Sequence, residues 1–148
     1  MNLRITLFVS SDQAAVKQFI IDVWKEFGFN YHKEYDRDLD DIQSFYMNLG
    51  GMFLILKQDK NIIGTIAVIK KTDVIAELKR LYVAKNYRGN GYGSALVDKA
   101  NMYCKECGFK KIILETNKKF IIAHELYQKH GFSLTHEDSR SYYMEKIL

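Results

Sequence analysis

Apolar and polar positions alternate at the start of the chain and then change period. Leu3, Ile5, Leu7 and Val9 alternate with Asn2, Arg4 and Thr6, which predicts a strand over 3–9. Ser10 stands as a helix N-cap with Gln13 three residues on, as in a capping box. Val16, Phe19, Ile20, Val23, Trp24 and Phe27 recur at helical spacing and form one apolar stripe, ended by Gly28. Residues 29–41 are polar and acidic. Ile42, Phe45, Tyr46 and Leu49 then share one face of a shorter helix, stopped by Gly50-Gly51.

Two β-rich runs, 52–57 and 62–70, flank Gln58-Asp59-Lys60-Asn61 and predict a hairpin; 74–83 adds a third strand to an antiparallel meander. A helix from about Ser94 to Cys107 places Leu96, Ala100, Tyr103, Cys104 and Cys107 on one face. The short strand 111–115 follows that helix, so it runs parallel to 74–83 through a right-handed crossover. A last helix over about Phe120 to His130 carries Phe120, Ala123, Leu126 and Tyr127 on its apolar face, and 132–135 with 141–147 close the chain as a hairpin. Gly28-Phe29, Gly108-Phe109 and Gly131-Phe132 each have the glycine-then-apolar form of a Schellman helix end. The order β-α-α-β-β-β-α-β-α-β-β predicts one α/β domain over 1–148. Its sheet is mixed and mostly antiparallel, with a parallel pair of strands 4 and 5 and helices on both faces.

Length and composition narrow the functional classes. A domain of 148 residues, 47% hydrophobic, has material for a core and a pocket. No apolar run approaches the ~18 residues of a membrane span. Met1-Asn2-Leu3-Arg4 has no leader character, so a cytoplasmic protein without membrane contact is expected. The net charge of +4 is scattered, which argues against nucleic acid as a partner. Cys104 and Cys107 form a C-x-x-C in mid-helix without a second pair, so core packing is expected and no metal site. His130 near the end of the last helix reads as a favourable terminal charge when protonated.

The chemistry concentrates in Glu77-Leu78-Lys79-Arg80-Leu81-Tyr82-Val83, Ala84-Lys85-Asn86-Tyr87 and Arg88-Gly89-Asn90-Gly91-Tyr92-Gly93-Ser94. A strand enters a loop that ends in an arginine and three alternating glycines, directly before a helix. Backbone N–H groups, the helix dipole and the missing side chains together suit an anion, with Arg88 as a charged supplement. A plain solvated loop is the simplest competitor. A dinucleotide-binding turn would use Gly89-Asn90-Gly91 and Glu115, but Ser94 stands where its third glycine belongs and the loop after Val83 is too long. A P-loop is excluded, because no Gly-Lys-Ser/Thr follows.

Arg88-x-x-Gly91-x-Gly93 resembles the Q/R-x-x-G-x-G/A signature of the GNAT superfamily of N-acetyltransferases. The run Glu77–Val83 is similar to the strand before that loop in the family. Asn117, Ala123, Leu126, Tyr127, Gly131 and Phe132 resemble its second half-motif, and Ile63-Gly64-Thr65 its third strand. The resemblance covers about 140 residues and is clearest from 74 to 133. It implies that strands 4 and 5 splay and hold acetyl-CoA as co-substrate. The pantetheine arm would lie on the backbone of Leu81, Tyr82 and Val83. The pyrophosphate would lie on Gly89, Asn90, Gly91, Tyr92, Gly93 and Ser94, with Arg88 beside it and Asn117 and Ala123 as further cofactor contacts. It also implies an amine acceptor, a small molecule in the first instance. An idle acetyl-CoA sensor, a protein amine and another acyl donor are the alternatives. Homodimers are common in the family, and no motif here decides for one.

Direct attack on the thioester needs a deprotonated amine. A lysine-like amine has a pKa of about 10.4, so the neutral form costs roughly 4.6 kcal/mol at pH 7. The resemblance implies Glu77 as the base, with Glu115 second; the other reading of Glu77 is a solvent-facing partner of a lysine. It implies Tyr127 as the acid for the leaving thiolate; the other reading is a core aromatic. Among Glu34, Asp36, Asp38, Asp40 and Asp41, Asp38 caps the second helix with Asp40 and Asp41 in its first turn; alternatively, as in the family's first inter-helix loop, these acids wall the acceptor site and draw in a cation. Tyr31, Tyr35 and Tyr46 are candidates for the same wall, so Tyr31, Tyr35 and Asp36 stand as acceptor residues.

Overall fold

The computed structural model describes residues 3–148; Met1 and Asn2, which belonged to the reading of the N-terminus, lie outside it. Eleven elements follow one another: β1 Leu3–Leu7, α1 Gln13–Glu26, α2 Ile42–Phe45, β2 Met52–Gln58, β3 Asn61–Lys70, β4 Ile75–Val83, α3 Tyr92–Glu106, β5 Lys111–Asn117, α4 Ile121–Lys129, β6 Ser133–Glu137 and β7 Ser141–Ile147. The strands form one seven-stranded sheet in the order β1-β2-β3-β4-β5-β7-β6. The β4–β5 pair is parallel, and the other pairings among the described residues are antiparallel. The expected architecture is therefore present.

Helices cover both faces, which explains the unbroken apolar run of β2. Met52, Leu54 and Leu56 join the core under α3 and α4, with Leu96, Val97, Ala100, Cys104 and Tyr127. Phe53 and Ile55 point the other way, to Val16, Ile20 and Trp24 of α1 and to Leu39, Ile42 and Tyr46. Among the described residues no helix is long and apolar enough to cross a membrane.

Several boundaries differ from the expected ones, each for a local reason. β1 stops at Leu7; Phe8 is 3% exposed and takes the core place expected of Val9, which is 54% exposed. The chain turns there because the Asp12 carboxylate accepts the Val9 N–H at 3.1 Å and the Lys57 ammonium at 2.8 Å. The Ser10–Gln13 capping box does not form; Gln13 instead donates to Leu39 O and accepts from Ile42 N, tying α1 to the acidic loop. The second helix is one turn followed by a 3₁₀ turn, with Ile42 and Tyr46 buried but Leu49 exposed. Asp41, not Asp38, caps it, accepting Ser44 N at 3.2 Å. Cys104 is buried as expected, whereas Cys107 is exposed. The three Gly-Phe ends carry the Schellman bond: Phe29 N to Trp24 O, Phe109 N to Cys104 O and Phe132 N to Tyr127 O, each 3.0 Å.

Candidate active site

A wedge opens between β4 and β5. Their pairing runs from Ile75↔Lys111 to Leu78↔Leu114 and stops. Beyond it β4 continues to Val83 along β3, while Glu115 to Asn117 follow β7. The edge of β4 that faces β5 therefore has no strand partner from Lys79 onward.

A bulge shapes that edge. Thr65 faces Tyr82 and Ala67 faces Lys79, so Arg80 and Leu81 together oppose Ile66. Arg80 has φ 60°, uncommon without glycine, and its carbonyl accepts the Thr65 hydroxyl at 2.8 Å. The extra residue reverses the facing of everything after it. Ala76 and Leu78 face the α3 core, and so do Leu81 and Val83. Arg80 and Tyr82 are turned toward α1.

Arg80 lands in a buried ion network. Its Nε and Nη2 lie 2.9 and 2.7 Å from the two carboxylate oxygens of Asp38, and Nη2 lies 3.4 Å from Asp36. Its guanidinium stands 5.3 Å from the Trp24 ring. Tyr46 donates its hydroxyl to Asp38. Burial works against the Asp38 charge, but the hydrogen bonds and charge of Arg80, with the Tyr46 hydroxyl, hold its carboxyl below the usual range.

Two cavities meet in the wedge. One, of about 480 Å³, reaches from β4 and β5 to the loop after α1; the other, of about 730 Å³, runs along the glycine loop and α4. Leu81, Tyr82, Phe120 and Ala123 line both. Glu77, Tyr127, Asn117 and Glu115 line the first. Leu81, Tyr82, Val83, Arg88, Gly89, Gly91, Tyr92, Gly93, Ser94 and Ala123 line the second.

The glycine loop is built for close approach. Gly89 and Gly91 have φ of 80° and 83°, and a Cβ on either would meet nothing within 4 Å. Gly93 serves packing instead, since its Cβ would stand 3.0 Å from Leu126. α3 starts at Tyr92, two residues before the expected start, and Ala95 is the first amide to reach back, to Gly91 O at 3.0 Å. The amides of Tyr92, Gly93 and Ser94 are thus the open donors of a helix N-terminus.

Arg88, expected as a charged supplement, holds the loop in place. Its Nε donates to Val83 O at 2.8 Å and its fork grips Glu26 at the end of α1 at 2.8 and 3.3 Å. Asn90 does not line the cavity; its amide donates to Tyr87 O and Arg88 O. The Ser94 hydroxyl sits 2.7 Å from His130 Nε2, and His130 Nδ1 sits 3.2 Å from Asp98. His130 is therefore a fixed tie between α3 and α4, beyond the terminal charge expected of it.

The matched features extend to known proteins. Residues 16–132 match the model of the acetyltransferase (GNAT) family. The chain belongs to this family. Streptothricin acetyltransferase A of Bacillus subtilis (strain 168) is 32% identical over 118 residues, covering 80% of this chain and 68% of that protein. The N-acetylaspartate synthetase of Xenopus tropicalis is 33% identical over 97 residues, and the match spans 36% of its length. An acetyltransferase of the GNAT family from Staphylococcus aureus MU50 superposes with a TM-score of 0.91 at 29% identity, over 99% of each chain. The PaiA N-acetyltransferase of Thermoplasma acidophilum, solved with coenzyme A, superposes at 0.82 and 24% identity over 100% of both chains, a likeness of fold.

Within this GNAT fold the candidate catalytic groups have distinct settings. Glu77 stands between its two readings: it lines the smaller cavity with its side chain 18% exposed, and Lys71 is 3.7 Å away. Tyr127 is 5% exposed and lines the same cavity, and its hydroxyl has no hydrogen-bond partner among the described residues. Burial, and secondarily the neighbouring Tyr82, pushes its pKa well above the ordinary range. Asn117 uses its side-chain oxygen to accept Lys119 N at 2.9 Å, which shapes the turn into α4.

The acidic stretch is mostly spent on structure, and only part of the expected acceptor wall lines the cavity. Asp38 holds Arg80, Asp40 accepts from Lys17 and Tyr31, and Asp41 caps α2. Tyr31 is bound to Asp40 and Tyr46 is buried on Asp38, and neither lines the cavity. Asp36 and Tyr35 do line it, with Asp36 already accepting His32 N at 2.7 Å. Sequence reasoning missed Arg80, Trp24 and His32 as wall residues. Trp24 donates its indole N–H to the Tyr82 hydroxyl at 2.8 Å and so leaves that hydroxyl's own proton free. Among the described residues no group of acids, histidines or cysteines could hold a metal ion.

Proposed function

We propose that this GNAT protein is an acetyl-CoA-dependent N-acetyltransferase whose acceptor is a primary amine on a small molecule. The observation that carries the reading is the wedge: one cavity lined by the glycine loop runs into a second lined by Glu77 and Tyr127, through Leu81 and Tyr82. The loop fits a diphosphate, because Gly89 and Gly91 leave open space and three helix-start amides stand ready as donors. The free edge of β4 suits an amide-bearing arm. When bound, acetyl-CoA supplies the acetyl thioester: the amine nitrogen bonds to the acetyl carbon, the C–S bond breaks, and CoA leaves as a thiolate that takes its proton from solvent.

Glu77 takes the proton from the amine, directly or through a water. Tyr127 keeps its own proton and donates a hydrogen bond toward the leaving sulfur. A relative named for streptothricin supports a small-molecule acceptor. The test is calorimetric titration with acetyl-CoA, followed by thiol release with polyamines, amino acids, aminoglycosides and peptides as acceptors. Binding with turnover lost in Glu77→Gln supports the reading. Binding without turnover for any acceptor would make the protein a sensor, and failure to bind acetyl-CoA would sink the proposal.

A further inference from the structure

The charges around the smaller cavity do not cancel evenly. Asp36, Glu77, Lys79, Arg80 and Glu115 line it. Arg80 is held by Asp38 and Asp36 at 2.7 and 3.4 Å. Asp36 also accepts His32 N, Glu77 faces Lys71 at 3.7 Å, and Glu115 accepts the hydroxyls of Ser141 and Tyr143 at 2.9 and 3.3 Å. Lys79 alone of these five has no ion pair within 4.0 Å and no hydrogen bond among the described residues. Its side chain is half-buried.

Its position in β4 matters as much as its charge. Lys79 is two residues after Glu77, on the same side of the strand, and directly before the bulge that opens the wedge. It thus stands between the candidate base and the place where the two cavities join. An ammonium there without a direct partner, though within the field of Asp38, disfavours a purely cationic acceptor such as a polyamine. It attracts one whose amine is accompanied by a negative group. The remaining acids, Glu77 above all, suit the amine end, so the wall carries both signs.

We propose that the acceptor is a zwitterion of the amino-acid type, an amine with a carboxylate that Lys79 receives. This rests on the acetyltransferase reading above. Lys79 acts here as a specificity-determining residue and takes no proton in the transfer.

The experiment compares three forms of each acceptor: the amino acid, its carboxamide and its decarboxylated amine. L-Lysine, lysinamide and cadaverine form one series; L-phenylalanine, phenylalaninamide and phenethylamine form another. Wild type is expected to favour the carboxylate form in kcat/KM by about tenfold or more, the scale of one charge-assisted contact. Lys79→Met should reduce that preference to about threefold or less, and Lys79→Glu should reverse it toward the carboxamide. Calorimetric acetyl-CoA affinity should be the same in all three proteins, which shows that the variants are folded. Equal use of acid and carboxamide by wild type, or an unchanged preference in Lys79→Met, overturns the inference. So does acetyl-CoA binding with no turnover of any series, whereas loss of acetyl-CoA binding by wild type overturns the reading beneath it.

Discussion

The Asp38 carboxylate and the Arg80 guanidinium lie fork to fork, at 2.9 and 2.7 Å, with Asp38 only 6% exposed. The pair joins the acidic loop to the bulge of β4, 42 residues away. Removing one member leaves the other charged and buried, so Asp38→Asn is expected to cost about 3–5 kcal/mol at pH 7. The pH dependence has a definite sign. The Asp38 pKa is lower in the folded protein than the unfolded value of about 3.9, so its contribution is fully present above that value. It is lost as the pH falls through the depressed folded value. Urea unfolding of wild type and Asp38→Asn at pH 7 and near pH 3 should show a gap that narrows in acid. A gap independent of pH would contradict the assignment.

Ser94 and His130 make a second, testable pair. With His130 Nδ1 facing Asp98, that nitrogen carries the proton and Nε2 accepts from the Ser94 hydroxyl. The hydroxyl is then engaged with α4, and Ser94 offers a ligand its amide. Ser94→Ala should therefore change acetyl-CoA affinity by less than about threefold. A double-mutant cycle with His130→Ala, read in unfolding free energy, should give a coupling of about 1 kcal/mol. A tenfold or larger loss of acetyl-CoA affinity in Ser94→Ala would place the hydroxyl on the cofactor instead.

What the sequence disclosed follows from the range of the interactions. The stripe of Val16, Ile20, Val23 and Trp24 and the spacing of Gly89, Gly91 and Gly93 are local patterns, and the helix forms where predicted and the loop within two residues of its predicted end, Gly93 falling in the first turn of α3. The Arg80 bulge is invisible, because no glycine or proline marks it and Thr65, its anchor, comes from another strand. The fate of Asp36, Asp38 and Asp40 is likewise hidden. Composition makes them an attractive field for cations, but Arg80, Lys17 and Tyr31 neutralise or occupy them through long-range contacts. Lys79 and Arg80 are adjacent in sequence and equal in charge, and only the contacts made in the fold separate a spent cation from a free one.

Gly91 and Gly108 provide a controlled comparison. Both have φ of 83°, and a Cβ on either meets nothing within 4 Å. Gly91 lines the larger cavity, whereas Gly108 ends α3 outside both. Alanine at either position should cost about 1–2 kcal/mol for the left-handed backbone. Only Gly91→Ala should weaken acetyl-CoA binding, by about tenfold, since its methyl group enters the space beside the open amides. Equal affinity in the two variants would move the diphosphate off this loop.

Tyr127 separates two roles that its position alone leaves equal. A tyrosine whose pKa is raised by burial gives up its proton less readily than in water. A leaving thiol has a pKa of about 8.5, so complete transfer from Tyr127 is uphill. A hydrogen bond to the leaving sulfur carries no such penalty and persists while the phenol stays protonated. Tyr127→Phe should then lower kcat by about 10–100-fold, with the KM for acetyl-CoA nearly unchanged. Because the shift is upward, the protonated form prevails throughout the neutral and moderately alkaline range. The wild-type kcat should accordingly show no loss from Tyr127 ionisation up to about pH 10. A descending limb near pH 9 that disappears in Tyr127→Phe would show a readily ionised phenol and return Tyr127 to the part of general acid.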